Sequence, residues 1–349
     1  MVIPKVKKPT PEQPQYANLA IQFFRRIQVP KKDAAPLVLS PADKKKFGGP
    51  KFADYLVDLL NNGTKEEQEN AAYALGIMGA NKMLKGVHRA RAVIALTNAL
   101  NSLPRISASA AFALGKIGDK SAIPFLLRQI PRPNPTHGFA GKNYTNYITA
   151  LGELNAQEAV PKLLSIVNNE NVPEKTRITA IYALGLIGTP RVIKPITHFA
   201  TMHHRHFKYP MDLEIAGIAA LGQIGDTKVQ NFLTKELDAV SNVQSYYGGA
   251  VEVSQGEVKN AKTLTYAFIR ALSNFDTREA KIAIAKVLDS EQKGEVKSFT
   301  ITVLSRMGKL PLAAVQTLIH FVEYGYPPEV VKEAEDLLLK IRRTRPVKK

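Results

Sequence analysis

Apolar and small residues recur along most of the chain with the spacing of an amphipathic helix. The clearest copy of the pattern runs from Ala110 to Ile130, with the sequence AAFALGKIGDKSAIPFLLRQI. Its central leucine has counterparts at intervals of 32 to 51 residues, and all but the longest interval lie within or near the period of two-helix repeats. The pattern predicts an all-α array of about seven helical hairpins, centred on Leu75, Leu114, Leu151, Leu184, Leu221, Leu272 and Leu304.

The residues beside each central leucine indicate how the first helix of a hairpin packs. Alanine precedes six of the seven leucines, and glycine follows five of them. A glycine inside a helix costs about 1 kcal/mol relative to alanine, so its recurrence predicts a close helix contact that a side chain would block. These glycines are Gly76, Gly115, Gly152, Gly185 and Gly222.

The second helix of each hairpin is predicted to start from a capping residue, usually after a glycine that ends the first helix. Thr64 and Glu67 have the spacing of a capping box. We interpret the recurring aspartates as caps and not as catalytic carboxylates. The predicted caps of the second helices are Asp119, Asn155, Thr189, Asp226 and Asp276.

Within the second helix, the positions 8, 12 and 16 residues after the central leucine are apolar in five consecutive copies and are predicted to be buried. Position 14 lies about 200° from position 12, so it should face away from that core. Stacked repeats would align these residues into a mostly basic column, which is either a partner-binding face or a solvated surface. The column consists of Arg128, Ser165, His198, Lys235 and Lys286.

Three long segments are predicted as insertions between hairpins, at residues 131–146, 201–212 and 241–263. Insertions at equivalent positions emerge on one edge of such an array, and that edge often carries function. Their aromatic and basic residues suit either nucleic-acid stacking or a protein hot spot. The partner-binding candidates among them are Tyr144, Phe207, Tyr209, Tyr246 and Tyr247.

The net charge of +18 is concentrated at the two ends of the chain. Residues 1–50 hold ten lysines and arginines against three acids and are predicted as a Pro/Lys-rich arm with one amphipathic helix at 16–28. Residues 51–325 are predicted as the repeat array, and 326–349 as a cap helix with a basic tail. The candidate binding residues of the tail are Lys340, Arg342, Arg343, Arg345, Lys348 and Lys349.

Several kinds of chemistry are excluded by composition and motif. The chain has no cysteine, so disulfides, thiolate zinc sites and cysteine nucleophiles are ruled out. Phosphate-loop, zinc-protease and serine-elbow motifs are missing. His203, His204 and His206 could ligate zinc or nickel, but too few further ligands lie nearby, and we predict no metal and no cofactor. No apolar run reaches membrane-spanning length, so we expect a soluble cytoplasmic protein, or a nuclear one in a eukaryotic host.

The motif A-A-x-A-L-G-x-I-G-D followed by A-I-P-x-L-L resembles the HEAT-like repeat named after phycobilisome lyases. The resemblance covers roughly residues 51–310 and implies a right-handed α-solenoid that binds other macromolecules. It does not imply bilin chemistry, because the repeat itself holds no catalytic group. The sequence also has no His-Glu dipeptide to match the iron ligands of the HEAT-repeat deoxyhypusine hydroxylases.

We therefore expect a non-enzymatic scaffold or adaptor that binds a macromolecular partner, most simply a protein, through its inner face, which the second helices present, and through its inserted edge. One alternative is binding of nucleic acid or a ribonucleoprotein through the basic ends and the basic column. The other alternative is a subunit similar to the bilin lyases, which would be part of an enzyme.

Overall fold

The computed structural model describes residues 13–27, 38–131, 144–201, 210–242, 255–290, 292–325 and 327–344. These residues are 81% helical, with 18 α-helices and no strand among them. The all-α repeat fold predicted from the sequence is confirmed. The chain forms two compact units, Met1–Ala183 and Leu184–Lys349.

The first unit is a series of helices in which alternate members pack side by side. The first helices pack in succession, α4 against α6 and α6 against α8. Helix α3 packs against α5 in the same way. Its helices are α1 (Gln13–Ile27), α2 (Pro41–Phe47), α3 (Pro50–Asn62), α4 (Lys65–Ala80), α5 (Gly86–Ala99), α6 (Pro104–Ile117), α7 (Ile123–Gln129), α8 (Thr145–Glu153), α9 (Val160–Val167) and α10 (Glu174–Ile187), which runs across the boundary.

The second unit repeats this arrangement. Its first helices α12, α14, α16 and α18 pack in succession, as do the second helices α13, α15 and α17. The helices are α11 (Pro190–Phe199), α12 (Met211–Ile224), α13 (Thr227–Ser241), α14 (Gln255–Leu272), α15 (Arg278–Lys286), α16 (Gly294–Arg306), α17 (Leu312–Tyr324) and α18 (Pro328–Thr344).

The apolar columns predicted from the sequence form the core. All seven central leucines are at most 1% exposed. The residues 8, 12 and 16 positions further on are buried in all five copies, as predicted. In each of four pairs of consecutive first helices, the glycine of one helix lies against the alanine of the next, which confirms the predicted close contact. The pairs are Gly76 with Ala113, Gly115 with Ala150, Gly185 with Ala220, and Gly222 with Ala271.

The amphipathic helix near the N-terminus, α1, packs on α3 and α4. Its residues Ala20, Phe23 and Ile27 are buried. The Phe23 ring lies 4.7 Å from that of Phe47 and 5.7 Å from that of Phe52. This helix therefore covers the apolar side of the first hairpin, as a terminal cap must.

Some of the predicted caps are present. Asp119 accepts a hydrogen bond from the backbone N–H of Ser121, and Asp226 accepts one from that of Lys228. The Thr64–Glu67 capping box is formed as well.

Two other predicted caps are wrong, and a third holds the predicted position without its side-chain hydrogen bond. Asn155 has a φ of 52° and takes the left-handed position that glycine occupies in other repeats, so it ends a helix instead of starting one. The capping side chain of α15 belongs to Thr277, while Asp276 forms an ion pair with Lys281. Thr189 stands at the N-cap of α11, but its side chain makes no capping hydrogen bond.

Candidate functional site

The residues at position 14 of the second helices are all exposed. Arg128 and Ser165 belong to the first unit, and His198, Lys235 and Lys286 to the second. The side chains of Arg128, Lys235 and Lys286 have no hydrogen-bond or ion-pair partner among the described residues. These three cations are therefore available to a partner.

Other basic residues stabilise the fold from within. Four of them donate to backbone carbonyls at or near the ends of helices, where the helix dipole favours a cation. The sequence did not reveal these bonds, because each joins residues from different elements. They run from Arg89 to Ile117, from Lys162 to Leu127 and Ile130, from Arg177 to Val167, and from Lys281 to Lys309.

A groove of about 380 Å³ lies between α13 and α15 in the second unit. Lys235 and Lys286 of the basic column line it, together with Asp238, Glu279 and Ile282. None of the four charged side chains has an ion-pair partner in the part of the chain that the structure describes. The groove therefore combines unpaired charges with apolar surface.

A second groove, of about 440 Å³, lies between α3 and α5 in the first unit. Asp54 lies 2.9 Å from His88 Nδ1 and 3.4 Å from Arg91 Nη1. Asp58 has no such partner among the described residues, and burial together with the charge of Asp54 raises its pKa. Ile94 lines the same groove and is 62% exposed. This groove is thus anionic on its α3 side, while its α5 side carries Arg91 and Asn98 beside the apolar Ile94 and Ala95.

Of the aromatic binding candidates in the predicted insertions, only Tyr144 lies among the described residues. Tyr144 is only 7% exposed, and burial raises the pKa of its hydroxyl, so little of its side chain is accessible to a partner. Its ring packs near that of Tyr147. The third insertion also ends earlier than predicted, since α14 begins at Gln255. The other candidates, Phe207, Tyr209, Tyr246 and Tyr247, lie outside the described residues.

The C-terminal basic candidates are divided by the end of α18. Lys340, Arg342 and Arg343 are exposed on this helix. Outside the described residues lie Arg345, Lys348 and Lys349, as do the metal candidates His203, His204 and His206. Among the described residues, no three histidine, aspartate or glutamate side chains come together in a way that could hold a metal ion. None of the described helices has the length and apolarity needed to cross a membrane.

Family comparisons match two stretches of the chain. Residues 143–206 match the model of HEAT repeats, and residues 108–128 match that of the PBS lyase HEAT-like repeat. The chain contains HEAT-like repeats. A comparison with curated proteins gives no match.

Solved structures with similar helical repeats share little sequence with this chain. The CpcE–CpcF complex of phycocyanin lyase from a Nostoc species is 16% identical, with 90% of this chain and 99% of that chain covered and a TM-score of 0.43. Human deoxyhypusine hydroxylase is 14% identical, with coverages of 85% and 97% and a TM-score of 0.32. A designed armadillo repeat protein is 16% identical, with coverages of 82% and 98% and a TM-score of 0.27.

The two grooves occupy the same register within the HEAT-like repeats. The alignment rests on the fully buried residues of the four helices, Leu56 in α3, Leu96 in α5, Leu233 in α13 and Ile284 in α15. In this alignment the apolar pair Ile94–Ala95 corresponds to Ile282–Ala283. Among the polar residues, Asp58 corresponds to Lys235, Arg91 to Glu279, and Asn98 to Lys286. The repeat thus offers one groove geometry with two opposite charge patterns.

Proposed function

We propose that the chain is a scaffold or adaptor that binds a protein partner along the exposed face of its second helices. The observation that carries this proposal is the set of unpaired cations Arg128, Lys235 and Lys286 at one repeated position. Several other cations, among them Lys116, Lys162 and Arg177, are engaged with carbonyls or acids. A cation kept exposed and unpaired at the same position of three repeats suits a surface that receives a partner.

Apolar side chains on the same helices favour protein over nucleic acid. Phe125 on α7 is 46% exposed and Ile94 on α5 is 62% exposed. Aromatic and apolar anchors surrounded by charged groups are typical of protein interfaces. Asp58, Asp238 and Glu279 lie beside the grooves on the same helices, and such carboxylates would repel a phosphate backbone.

The proposal is tested by reversing the charge of the column. The triple variant R128E/K235E/K286E is compared with K175E/K309E/K332E, which has the same net charge but changes exposed lysines outside the second helices. Both variants and the unaltered chain are used to recover partners from host extract with and without nuclease treatment, and cross-linking with mass spectrometry maps the contacts.

We expect at least a tenfold loss of partner recovery for R128E/K235E/K286E only, with cross-links on the second helices. Equal losses in both variants, or cross-links confined to the first helices, would contradict the proposal. Recovery that disappears after nuclease treatment would instead indicate the nucleic-acid alternative.

A further inference from the structure

We infer that the groove between α13 and α15 docks a segment of the protein partner that places a carboxylate beside an apolar side chain. This inference rests on the proposed function and adds the chemistry of the partner. It follows from the position of the charges in the groove, from its apolar wall, and from comparison with the equivalent groove of the first unit.

The lysines of the groove hold equivalent positions in two successive repeats. Lys235 and Lys286 both occupy position 14 of their repeats, and both line the groove. Neither has an ion-pair partner among the described residues. Two unpaired ammonium groups on facing helices form a site for one carboxylate, which each of them attracts and can bind by hydrogen bonds.

The acids of the groove restrict where that carboxylate can lie. Glu279 precedes Lys286 by seven residues, which is about 10 Å along the helix at 1.5 Å per residue. Asp238 follows Lys235 by three residues. A carboxylate between the lysines is attracted by both of them, whereas one displaced toward either end approaches an acid. The charge pattern therefore selects a single acidic residue at the centre of the docked segment.

The apolar part of the groove defines the neighbouring side chain of the partner. Ile282 and Ala283 line one wall and are half-buried, and the buried Leu237 and Val287 also reach the groove. Covering this surface with an aliphatic or aromatic side chain removes apolar area from water on both molecules. The matching segment therefore carries an apolar residue next to its acidic one.

The first unit contains a natural counterpart with reversed charge. Its groove keeps the Ile–Ala pair at Ile94 and Ala95 but replaces Lys235 with Asp58 and Lys286 with Asn98. An acidic segment would fit its apolar wall and be repelled by Asp58. The two grooves therefore differ mainly in charge. The substitutions Asp58→Lys and Asn98→Lys should convert the first groove into a second site for the same segment.

The test uses the full chain and a random 12-residue peptide library displayed on phage. Selection on the unaltered chain should enrich peptides with Asp or Glu next to Leu, Ile, Val or Phe. Anisotropy of the strongest labelled peptide should show one site per chain. Its affinity should fall at least tenfold in K235E/K286E and in I282S, and stay within twofold in the equal-charge control K309E/K332E. The variant D58K/N98K should bind two peptides per chain.

Each departure from these results has a defined meaning. Enriched peptides without carboxylates, equal affinity for K235E/K286E, or equal weakening in the control would overturn the inference, as would a failure to enrich any peptide. A single site in D58K/N98K would overturn the equivalence of the two grooves. Because the cross-links to the partner are mapped separately, loss of the peptide result with retained second-helix cross-links would refute the groove chemistry and leave the proposed function standing.

Discussion

Gly222 of α12 lies directly against Ala271 of α14. A Cβ atom built on Gly222 would lie 2.7 Å from the Cα atom of Ala271 and 2.8 Å from its Cβ atom. The two residues are the ones that follow and precede a central leucine in successive repeats. Their contact explains why both positions stay small: each first helix presents its glycine to the alanine of the next.

We expect Gly222→Ala to destabilise the chain although alanine is the better helix former. The gain in helix propensity is about 1 kcal/mol, whereas forcing a methyl group into a packed contact costs about 1–3 kcal/mol. Chemical denaturation should show a lower free energy of unfolding. Gln223→Ala, at the exposed neighbouring position, should change it by no more than about 0.5 kcal/mol. A more stable Gly222→Ala protein would contradict the close contact.

The Asp119 cap should make stability depend on pH. The Ser121 hydroxyl and backbone N–H donate to the Asp119 carboxylate and hold its pKa below the ordinary value of 3.8. Because the folded-state pKa is the lower one, the stabilisation is complete above the unfolded-state pKa and is lost as pH falls through the folded-state value. Asp119→Ala should cost about 1 kcal/mol at pH 7.

The control for this cap is Asp119→Asn, which can still accept the backbone hydrogen bond. It should retain more of the stability at pH 7 than the alanine variant and lose the acid dependence that this residue contributes. Thermal unfolding between pH 2 and pH 7 measures both effects. An unchanged acid dependence in Asp119→Asn would show that the carboxylate charge does not contribute.

Thr234 is a buried polar group whose replacement should improve stability. Its Oγ1 atom is buried and has no hydrogen-bond partner among the described residues. An unsatisfied hydroxyl costs roughly 1–3 kcal/mol, and an apolar group of the same shape removes that cost. Thr234→Val should therefore raise the free energy of unfolding by about 1 kcal/mol.

Thr265 provides the comparison, since it is also a helical threonine with a buried hydroxyl, but this hydroxyl donates to the carbonyl of Ala261 at 2.8 Å. Thr265→Val should be neutral or destabilising by up to about 1.5 kcal/mol. Calorimetry on the two variants gives the difference directly. Equal effects would mean that the Thr234 hydroxyl is satisfied in solution.

The repeat architecture could be predicted from the sequence because each of its determinants is local and periodic. Leucine, alanine and glycine recur at fixed spacing, and the buried second-helix columns follow from helix geometry alone. Caps were harder to predict, because neighbouring polar residues compete for the role. Thr277 and not Asp276 caps α15, and Asn155 replaces a glycine at a helix end.

The candidate site could be predicted only in part. The exposed positions of Arg128, Lys235 and Lys286 follow from the period of the helix, but their lack of partners does not. The grooves also depend on which helices pack side by side. The correspondence of Asp58 in one groove to Lys235 in the other is therefore seen only when the helices are aligned by their buried residues.

Lys162 is a cation that stabilises the fold, in contrast to Lys235, which is free to bind a partner. Its Nζ atom donates to the carbonyls of Leu127 at 2.9 Å and Ile130 at 2.6 Å, where α7 ends. Lys162→Met keeps most of the aliphatic stem but leaves these part-buried carbonyls without their charged donor. A hydrogen bond to a charged group contributes about 1.5–3 kcal/mol, so we expect a loss of stability of that order.

Lys235→Met, which removes an unpaired exposed cation, should alter stability by less than about 0.5 kcal/mol while weakening the binding of acidic peptides. Denaturation and anisotropy on both variants test this division; loss of peptide binding without loss of stability in Lys162→Met would reverse the two roles.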